Sequence, residues 1–114
     1  MEFDNNTPIY LQIADSWCDR ILSGELKAED RIPSVREWGA QIGVNPNTVA
    51  RAYEELTARG VIYQKRGLGF FIAADAPRTI LDAARKEFIE QELPKFARRA
   101  QLLQLDLYDL LKII

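Results

Sequence analysis

Apolar positions recur at helical spacing near the start of the chain and favour an amphipathic helix there. Thr7 is a suitable N-cap and Pro8 fits the first helical position, where a missing N–H has no consequence. Gly24 is a natural C-terminal stop. The sequence therefore predicts a helix with one buried stripe, made of Tyr10, Ile13, Ala14, Trp17 and Ile21.

A second, shorter helix is predicted from a capping box, in which Ser34 and Glu37 satisfy each other's backbone N–H groups. Gly43 ends this helix. Gly39 lies inside it and is expected to weaken it by up to about 1 kcal/mol relative to alanine. The positions expected to be buried are Val35, Trp38 and Ile42.

A third helix is predicted to begin at Asn45 and Pro46 and to end at Gly60, with Val49, Tyr53 and Leu56 inside. The period then changes, because residues 61–65 and 70–72 are short β-branched and aromatic runs. Residues 66–69 between them contain two glycines, which favours a hairpin tip. Three helices followed by a hairpin are typical of a winged helix-turn-helix.

The remainder of the chain is expected to be helical after a connector at residues 74–77. Pro94 should kink or break the helix there, and Asp106 is expected to cap a last short helix. An apolar seam of the kind that packs against another helix runs along this tail. We therefore expect a mostly α fold with a small β-hairpin: a winged helix-turn-helix over residues 1–76 and a short two-helix tail over residues 77–114.

The composition fits an ordinary globular protein, with 47% hydrophobic and 28% charged residues. No apolar run approaches the ~20 residues needed to span a bilayer, so we expect no membrane partner and a cytoplasmic location. Cys18 is the single cysteine and the chain has no histidine, so neither an internal disulfide nor the usual zinc site is expected. Cys18 is interpreted as a small core or interface residue, and no cofactor is predicted.

Charge is distributed unevenly along the chain. The net charge of −2 argues mildly against nucleic acid as a partner. Between positions 31 and 69, however, basic residues outnumber the acidic Glu37, Glu54 and Glu55; they are Arg31, Arg36, Arg51, Arg59, Lys65 and Arg66. This local excess predicts a surface that binds phosphate.

The third helix carries the residue types that can read DNA. Its first turns expose Asn47, Thr48 and Arg51, whose amide, hydroxyl and guanidinium groups suit base edges and phosphates. Arg36 points outward from the preceding helix and is interpreted as a phosphate or base contact. Lys65 and Arg66 lead into the hairpin. Each residue alone is more often a solvated charge, and it is their combination on these surfaces that favours binding to a DNA duplex.

Ordered motifs along two thirds of the chain resemble the DNA-binding domain of GntR-family bacterial regulators. They are Pro8-Ile9-Tyr10-Leu11-Gln12-Ile13, Ile21-Leu22-Ser23-Gly24-Glu25-Leu26, Arg31-Ile32-Pro33-Ser34-Val35-Arg36-Glu37, Val44-Asn45-Pro46-Asn47-Thr48-Val49 and Arg66-Gly67-Leu68-Gly69. The short tail is similar to that of the YtrA-like subfamily. The resemblance implies a homodimeric repressor on an inverted-repeat operator, with contacts from Arg36, from the start of the recognition helix and from the wing-tip glycine, Gly69. The combined candidate DNA-binding residues are Ser34, Arg36, Asn45, Asn47, Thr48, Arg51, Lys65, Arg66, Gly67 and Gly69.

Two departures from the family pattern stand out. Trp38 and Gly39 replace a more usual leucine–alanine pair, which we interpret as an exchange of volume. Leu68 and Phe70 stand in the wing where the family commonly carries a lysine and a threonine, which removes a charge from the wing.

The tail is predicted to dimerise through this seam; a second interpretation is that the seam packs within one chain against residues 107–114, and the two are compatible. The candidate dimerisation residues are Leu81, Phe88, Ile89, Leu93, Phe96, Ala100, Leu103, Leu107, Leu110 and Leu111. A competing hypothesis is a winged-helix module that binds protein and not DNA, which the net acidity favours weakly. An enzyme is not expected, because the chain lacks histidine, a nucleophile elbow and a phosphate loop. The sequence indicates neither the operator nor any effector.

Overall fold

The structure, a computed structural model, describes every residue, Met1–Ile114. The helices are α1 (Ile9–Leu22), α2 (Val35–Ile42), α3 (Pro46–Ala58), α4 (Ala76–Glu87), α5 (Leu93–Leu102) and α6 (Leu107–Leu111), with a π-helical segment at Phe88–Glu92. The strands are β1 (Arg31–Ile32), β2 (Ile62–Lys65) and β3 (Gly69–Ile72), in the order β1-β3-β2 and antiparallel. The expected fold, mostly α with a small hairpin, is confirmed, and β1 adds a third strand to the hairpin.

The chain divides into two compact units, Met1–Leu81 and Asp82–Ile114. The division lies inside α4, because Ala76 and Ile80 are buried in the core of the first unit. Helix α4 also begins earlier than expected, at Ala76, so the connector is shorter than the predicted residues 74–77. The functional boundary predicted after Ala76 remains a prediction.

The predicted start of α1 is wrong by one position. Pro8, with ψ of 140°, is the N-cap and has no side-chain cap. Thr7 does not act as the cap, because its backbone belongs to a turn organised by Asp4 and Gln12. The Asp4 carboxylate accepts from the Thr7 N–H at 3.1 Å, and the Gln12 side-chain amide donates to the Thr7 carbonyl at 2.6 Å.

One core holds the first unit together. The largest side chains buried there are Trp17, Tyr53, Ile13, Leu56 and Ile72. Cys18 is buried in the same core as expected, and burial raises the pKa of its thiol. Val35, Trp38 and Ile42 of α2 are only partly buried, and they pack against the outside of this core. The core of the first unit is thus formed mainly by α1, α3 and the sheet, and α2 packs against it.

Gly39 has a packing role that the sequence did not reveal. A Cβ atom at this position would lie 2.7 Å from the Val44 carbonyl oxygen, which is too close for any other residue. The Val44 N–H in turn donates to the Gly39 carbonyl at 2.9 Å. The glycine expected to weaken α2 is therefore what lets the following turn fold back onto the helix.

The second unit consists of helices joined by a turn at residues 103–106, and most of its side chains are exposed. Backbone dihedral angles remain helical at Glu92 and Leu93, and the Leu93 N–H donates to the Phe88 carbonyl in π-helical register. Pro94, which has no N–H to donate, therefore changes the hydrogen-bond register and does not end the helix. Asp106 caps α6 as predicted, since its carboxylate accepts from the Tyr108 N–H at 2.7 Å. No helix in the chain has both the length and the apolar character that a membrane span requires.

Candidate nucleic-acid interface

Helices α2 and α3 are joined by a tight turn that fixes their relative position. Gly43 adopts the left-handed conformation (φ 70°) that ends α2. The Tyr53 hydroxyl, on α3, donates to the Pro33 carbonyl at 2.6 Å, directly before α2 begins. Burial raises the pKa of Tyr53 well above its usual range, so the phenol remains a donor at every physiological pH. This hydrogen bond therefore ties the middle of α3 to the segment that leads into α2.

Two of the predicted DNA-binding residues use their side-chain oxygens within the protein. The Ser34 hydroxyl accepts from the Glu37 N–H at 3.2 Å, and the Glu37 carboxylate accepts from the Ser34 N–H at 3.2 Å, which confirms the capping box. These hydrogen bonds lower the pKa of Glu37. The Asn45 side-chain oxygen accepts from the Asn47 N–H at 2.8 Å and caps α3. Ser34 and Asn45 thus orient the helix starts, while their contact with DNA remains a prediction.

Three further candidates lie in the first turns of α2 and α3. Arg36 and Asn47 are exposed and Thr48 is half-buried. Arg36 makes no salt bridge. Its charge is consequently available to a ligand on the outer side of the helix-turn-helix.

Arg51 is held in place by α1. Its guanidinium carbon lies 4.0 Å from the centroid of the Tyr10 ring, a close cation–π contact. Tyr10 was predicted as a core residue and is half-buried, packing against the core on one side. A stacked guanidinium keeps its N–H donors free at the edge, so Tyr10 orients Arg51 without neutralising it.

The hairpin forms the wing and positions a second cationic group. The Lys65 ammonium lies 4.8 Å from the Phe71 ring centroid, and Arg66 follows it at the exposed tip. Gly67 and Gly69 have φ of 79° and 113°, the left-handed region that favours glycine. These four residues are thus brought together at one end of the sheet.

The two unusual wing residues occupy different positions. Leu68 is 61% exposed at the tip. Phe70 lies on the inner face of β3, where its ring meets that of Tyr53 edge-on at 5.0 Å. Phe70 is therefore a packing residue, and only Leu68 alters the outer surface of the wing.

One arginine of the basic segment is neutralised by salt bridges, and another lies beside the wing. Arg59 forms salt bridges with Asp15 at 2.9 Å and Glu55 at 2.8 Å, so its charge is neutralised between α1 and α3. Arg31, in contrast, is exposed on β1, and its Nε would lie 3.1 Å from a Cβ at Gly69. Sequence reasoning counted Arg31 as basic but did not select it, because its proximity to the wing arises only from strand pairing.

Known proteins share both the sequence and the fold. The family described as "Bacterial regulatory proteins, gntR family" matches residues 9–72. The chain is 38% identical to the HTH-type transcriptional regulator YhcF of Bacillus subtilis, over 97% of this chain and 90% of that protein. It is 40% identical to the HTH-type transcriptional repressor YtrA of the same organism, over 76% of this chain and 67% of that protein.

Solved structures agree. A GntR-family regulator from Bacteroides thetaiotaomicron is 44% identical and superposes with a TM-score of 0.76, covering 92% of this chain and 91% of that chain. The DNA-binding domain of AraR in complex with its operator ORR3 is 27% identical, with a TM-score of 0.57, covering 64% of this chain and 88% of that chain. These relatives are regulators and not enzymes. The chain belongs to the GntR family of bacterial transcriptional regulators, which are typically DNA-binding repressors.

Proposed function

We propose that this protein is a homodimeric repressor that binds an inverted-repeat operator in the bacterial cytoplasm. In this proposal α3 enters the major groove and the wing lies near the minor groove. The relative YtrA is named a repressor, and the AraR domain has been solved with operator DNA. Both support the proposal, as does the surface charge of the first unit.

The observation that carries the proposal is a set of exposed cations without carboxylate partners. Arg36, Arg51, Lys65 and Arg66 are exposed and make no salt bridge. They lie on α2, α3 and the wing, the elements that this fold turns toward a duplex. In a chain of net charge −2, an unneutralised local group of this kind favours phosphate as the ligand.

A dimer is supported by the second unit. Large apolar side chains remain exposed there: Phe88 at 53%, Ile89 at 59%, Phe96 at 54% and Leu103 at 52%. Ala100 is the only buried residue of this unit, so that predicted interface residue is already covered within one chain. Helices with so little buried surface are rarely stable alone. A second copy of the same unit is the occupant that also provides the two recognition helices required by an inverted repeat.

DNA binding is tested by selecting duplexes from a random pool and measuring affinity at several salt concentrations. The double variant Arg36→Ala/Arg51→Ala should bind the selected duplex more than tenfold more weakly and flatten the salt dependence, because each lost phosphate contact reduces the slope by about 0.9. Lys27→Ala/Lys86→Ala removes the same charge at two exposed lysines outside the candidate DNA-binding residues and should have little effect. Binding that is insensitive to salt, or unchanged in the first variant, would favour the protein-interaction alternative.

The dimer is tested by sedimentation. Ile89→Glu/Phe96→Glu places two charges on the apolar surface and should yield monomers, because an unpaired buried charge is strongly unfavourable. Gln91→Glu adds a charge to the same helical run outside the predicted interface residues and serves as the control. A double variant that remains dimeric would assign dimerisation to a different surface.

A further inference from the structure

One outer face of the sheet of the first unit carries two candidate DNA-binding residues and a further cation that was not selected as a candidate. Arg31 pairs with Phe71 across β1 and β3, and Tyr63 pairs with Phe71 across β2 and β3, so these three side chains share one face. Lys65 and Gly69 lie on the same face by the two-residue period of a strand. The opposite face carries Ile32, Phe70 and Ile72 and packs toward the core.

Arg31 and Lys65 converge on this outer face around Gly69. The Arg31 guanidinium lies against the Gly69 backbone, with Nε and Nη2 at 3.1 and 3.5 Å from the position of an added Cβ. Lys65 is the direct cross-strand partner of Gly69, and its ammonium lies over the Phe71 ring. Two cations from different strands therefore flank the glycine at the end of the wing.

The neighbouring carboxylates are engaged elsewhere. Glu29 accepts a hydrogen bond from the Tyr63 hydroxyl, and Glu37 accepts from the Ser34 backbone. Arg31 helps lower the pKa of Glu37 through space, after the Ser34 hydrogen bonds, but forms no salt bridge with it. Arg31 thus retains N–H donors for an external anion.

We propose that Arg31 is a phosphate-binding residue of the wing, supplying from β1 the positive charge that Leu68 does not carry. This inference rests on the proposed DNA-binding function. An arginine suits the role because its planar fork binds phosphate oxygens while its stem lies along the wing backbone. A Cβ at position 69 would lie 3.1 Å from Arg31 Nε, so glycine lets the guanidinium lie this close to the wing backbone without the shift of a few tenths of an ångström that a larger residue would require.

The test compares Arg31→Gln with Arg31→Lys and with Lys27→Gln, a charge-matched control on the preceding loop. On the duplex selected by the wild type, Arg31→Gln should lower the salt slope by about one per protomer, or about two per dimer. It should weaken binding to selected and scrambled duplexes by the same factor, since a phosphate contact carries no sequence information. Arg31→Lys should keep most of the slope, and Lys27→Gln should keep all of it.

The outcomes separate this inference from the function on which it rests. A wild type that binds no duplex overturns the proposed function. A wild type that binds while Arg31→Gln retains the full slope overturns the role of Arg31 alone. An equal loss in the glutamine and lysine variants would indicate a structural role, and a loss confined to the selected duplex would indicate a base contact. Thermal unfolding of each variant checks that the fold is intact.

Discussion

The two compact units contain similar proportions of apolar side chains, but the first unit buries most of the large ones and the second leaves most of them exposed. In Met1–Leu81, side chains such as Trp17, Ile13 and Leu56 are at most 2% exposed. In Asp82–Ile114, leucines and phenylalanines are roughly half exposed, and α6 carries Leu111 at 67%. The first unit has the buried area that independent folding requires, while the second has helices without a core of their own. This difference supports the proposal that the second unit is stabilised by association with a second copy.

Core truncation should give the largest contrast between the units. Leu56→Ala should lower the free energy of unfolding by about 2–5 kcal/mol, because it leaves a cavity in a closely packed core. Leu102→Ala, at a side chain that is 70% exposed, should change it by less than about 0.5 kcal/mol. Urea denaturation of both variants at one protein concentration measures the contrast. Equal decreases in the free energy of unfolding would mean that the two units do not differ in how closely their side chains are packed.

The second-largest effect that we expect is a different response of the two units to dilution. If the second unit is stabilised by a second copy, its helical content should fall as the concentration drops below the dimer dissociation constant. The first unit should retain the near-ultraviolet signal of Trp17 and Trp38 over the same range, since that cluster lies within one chain. Circular dichroism over a wide concentration range provides the measurement. Helicity that is independent of concentration would contradict association as the source of stability.

Gly39→Ala probes the tight packing found only in the first unit. Alanine favours a helix over glycine by up to about 1 kcal/mol, but here the added methyl would meet the Val44 carbonyl at 2.7 Å. We expect a net destabilisation of about 1–3 kcal/mol, as for other overpacked sites. Gln41→Ala, at an exposed position of the same helix, should be neutral or slightly stabilising. A stabilised Gly39→Ala variant would show that the turn can move without penalty.

The smallest expected effect concerns pH and the capping box. The pKa of Glu37 is lowered in the folded state by hydrogen bonds from Ser34. Its ionised form therefore contributes stability above its unfolded pKa, and this is lost as pH falls through the folded pKa. Glu37→Gln keeps an acceptor but does not titrate, so its melting temperature should fall further below that of the wild type as pH rises from acidic values. A difference that is constant with pH would assign the stabilisation to geometry alone.

Much of the fold was predictable because its signals are local. The capping box at Ser34, the Asn45–Pro46 start of α3 and the hairpin glycines act within a few residues, and all are confirmed. Where a local signal competed with another, the prediction was wrong, as at Thr7, whose N–H is taken up by Asp4. The exposure of Arg36, Asn47 and Arg51 was also predictable from the helical period, while their contact with DNA remains a prediction.

Positions that depend on distant partners were not predictable from the sequence. The neutralisation of Arg59 by Asp15 and the stacking of Arg51 on Tyr10 join residues far apart in the chain. Strand pairing brings Arg31 to Gly69, although the two are distant in sequence. No period or motif at these positions signals the contact.

By itself, then, the sequence determined the helices, their caps, the hairpin and the family to which the chain belongs, because each depends on hydrogen bonds and apolar periods within a few residues. Only the tertiary structure decided which charges remain available for DNA. It also decided that Phe70 packs against Tyr53 and that Gly39 accommodates the Val44 carbonyl. The physical reason is that charge neutralisation and close packing are properties of pairs of residues, and the fold alone brings those pairs together.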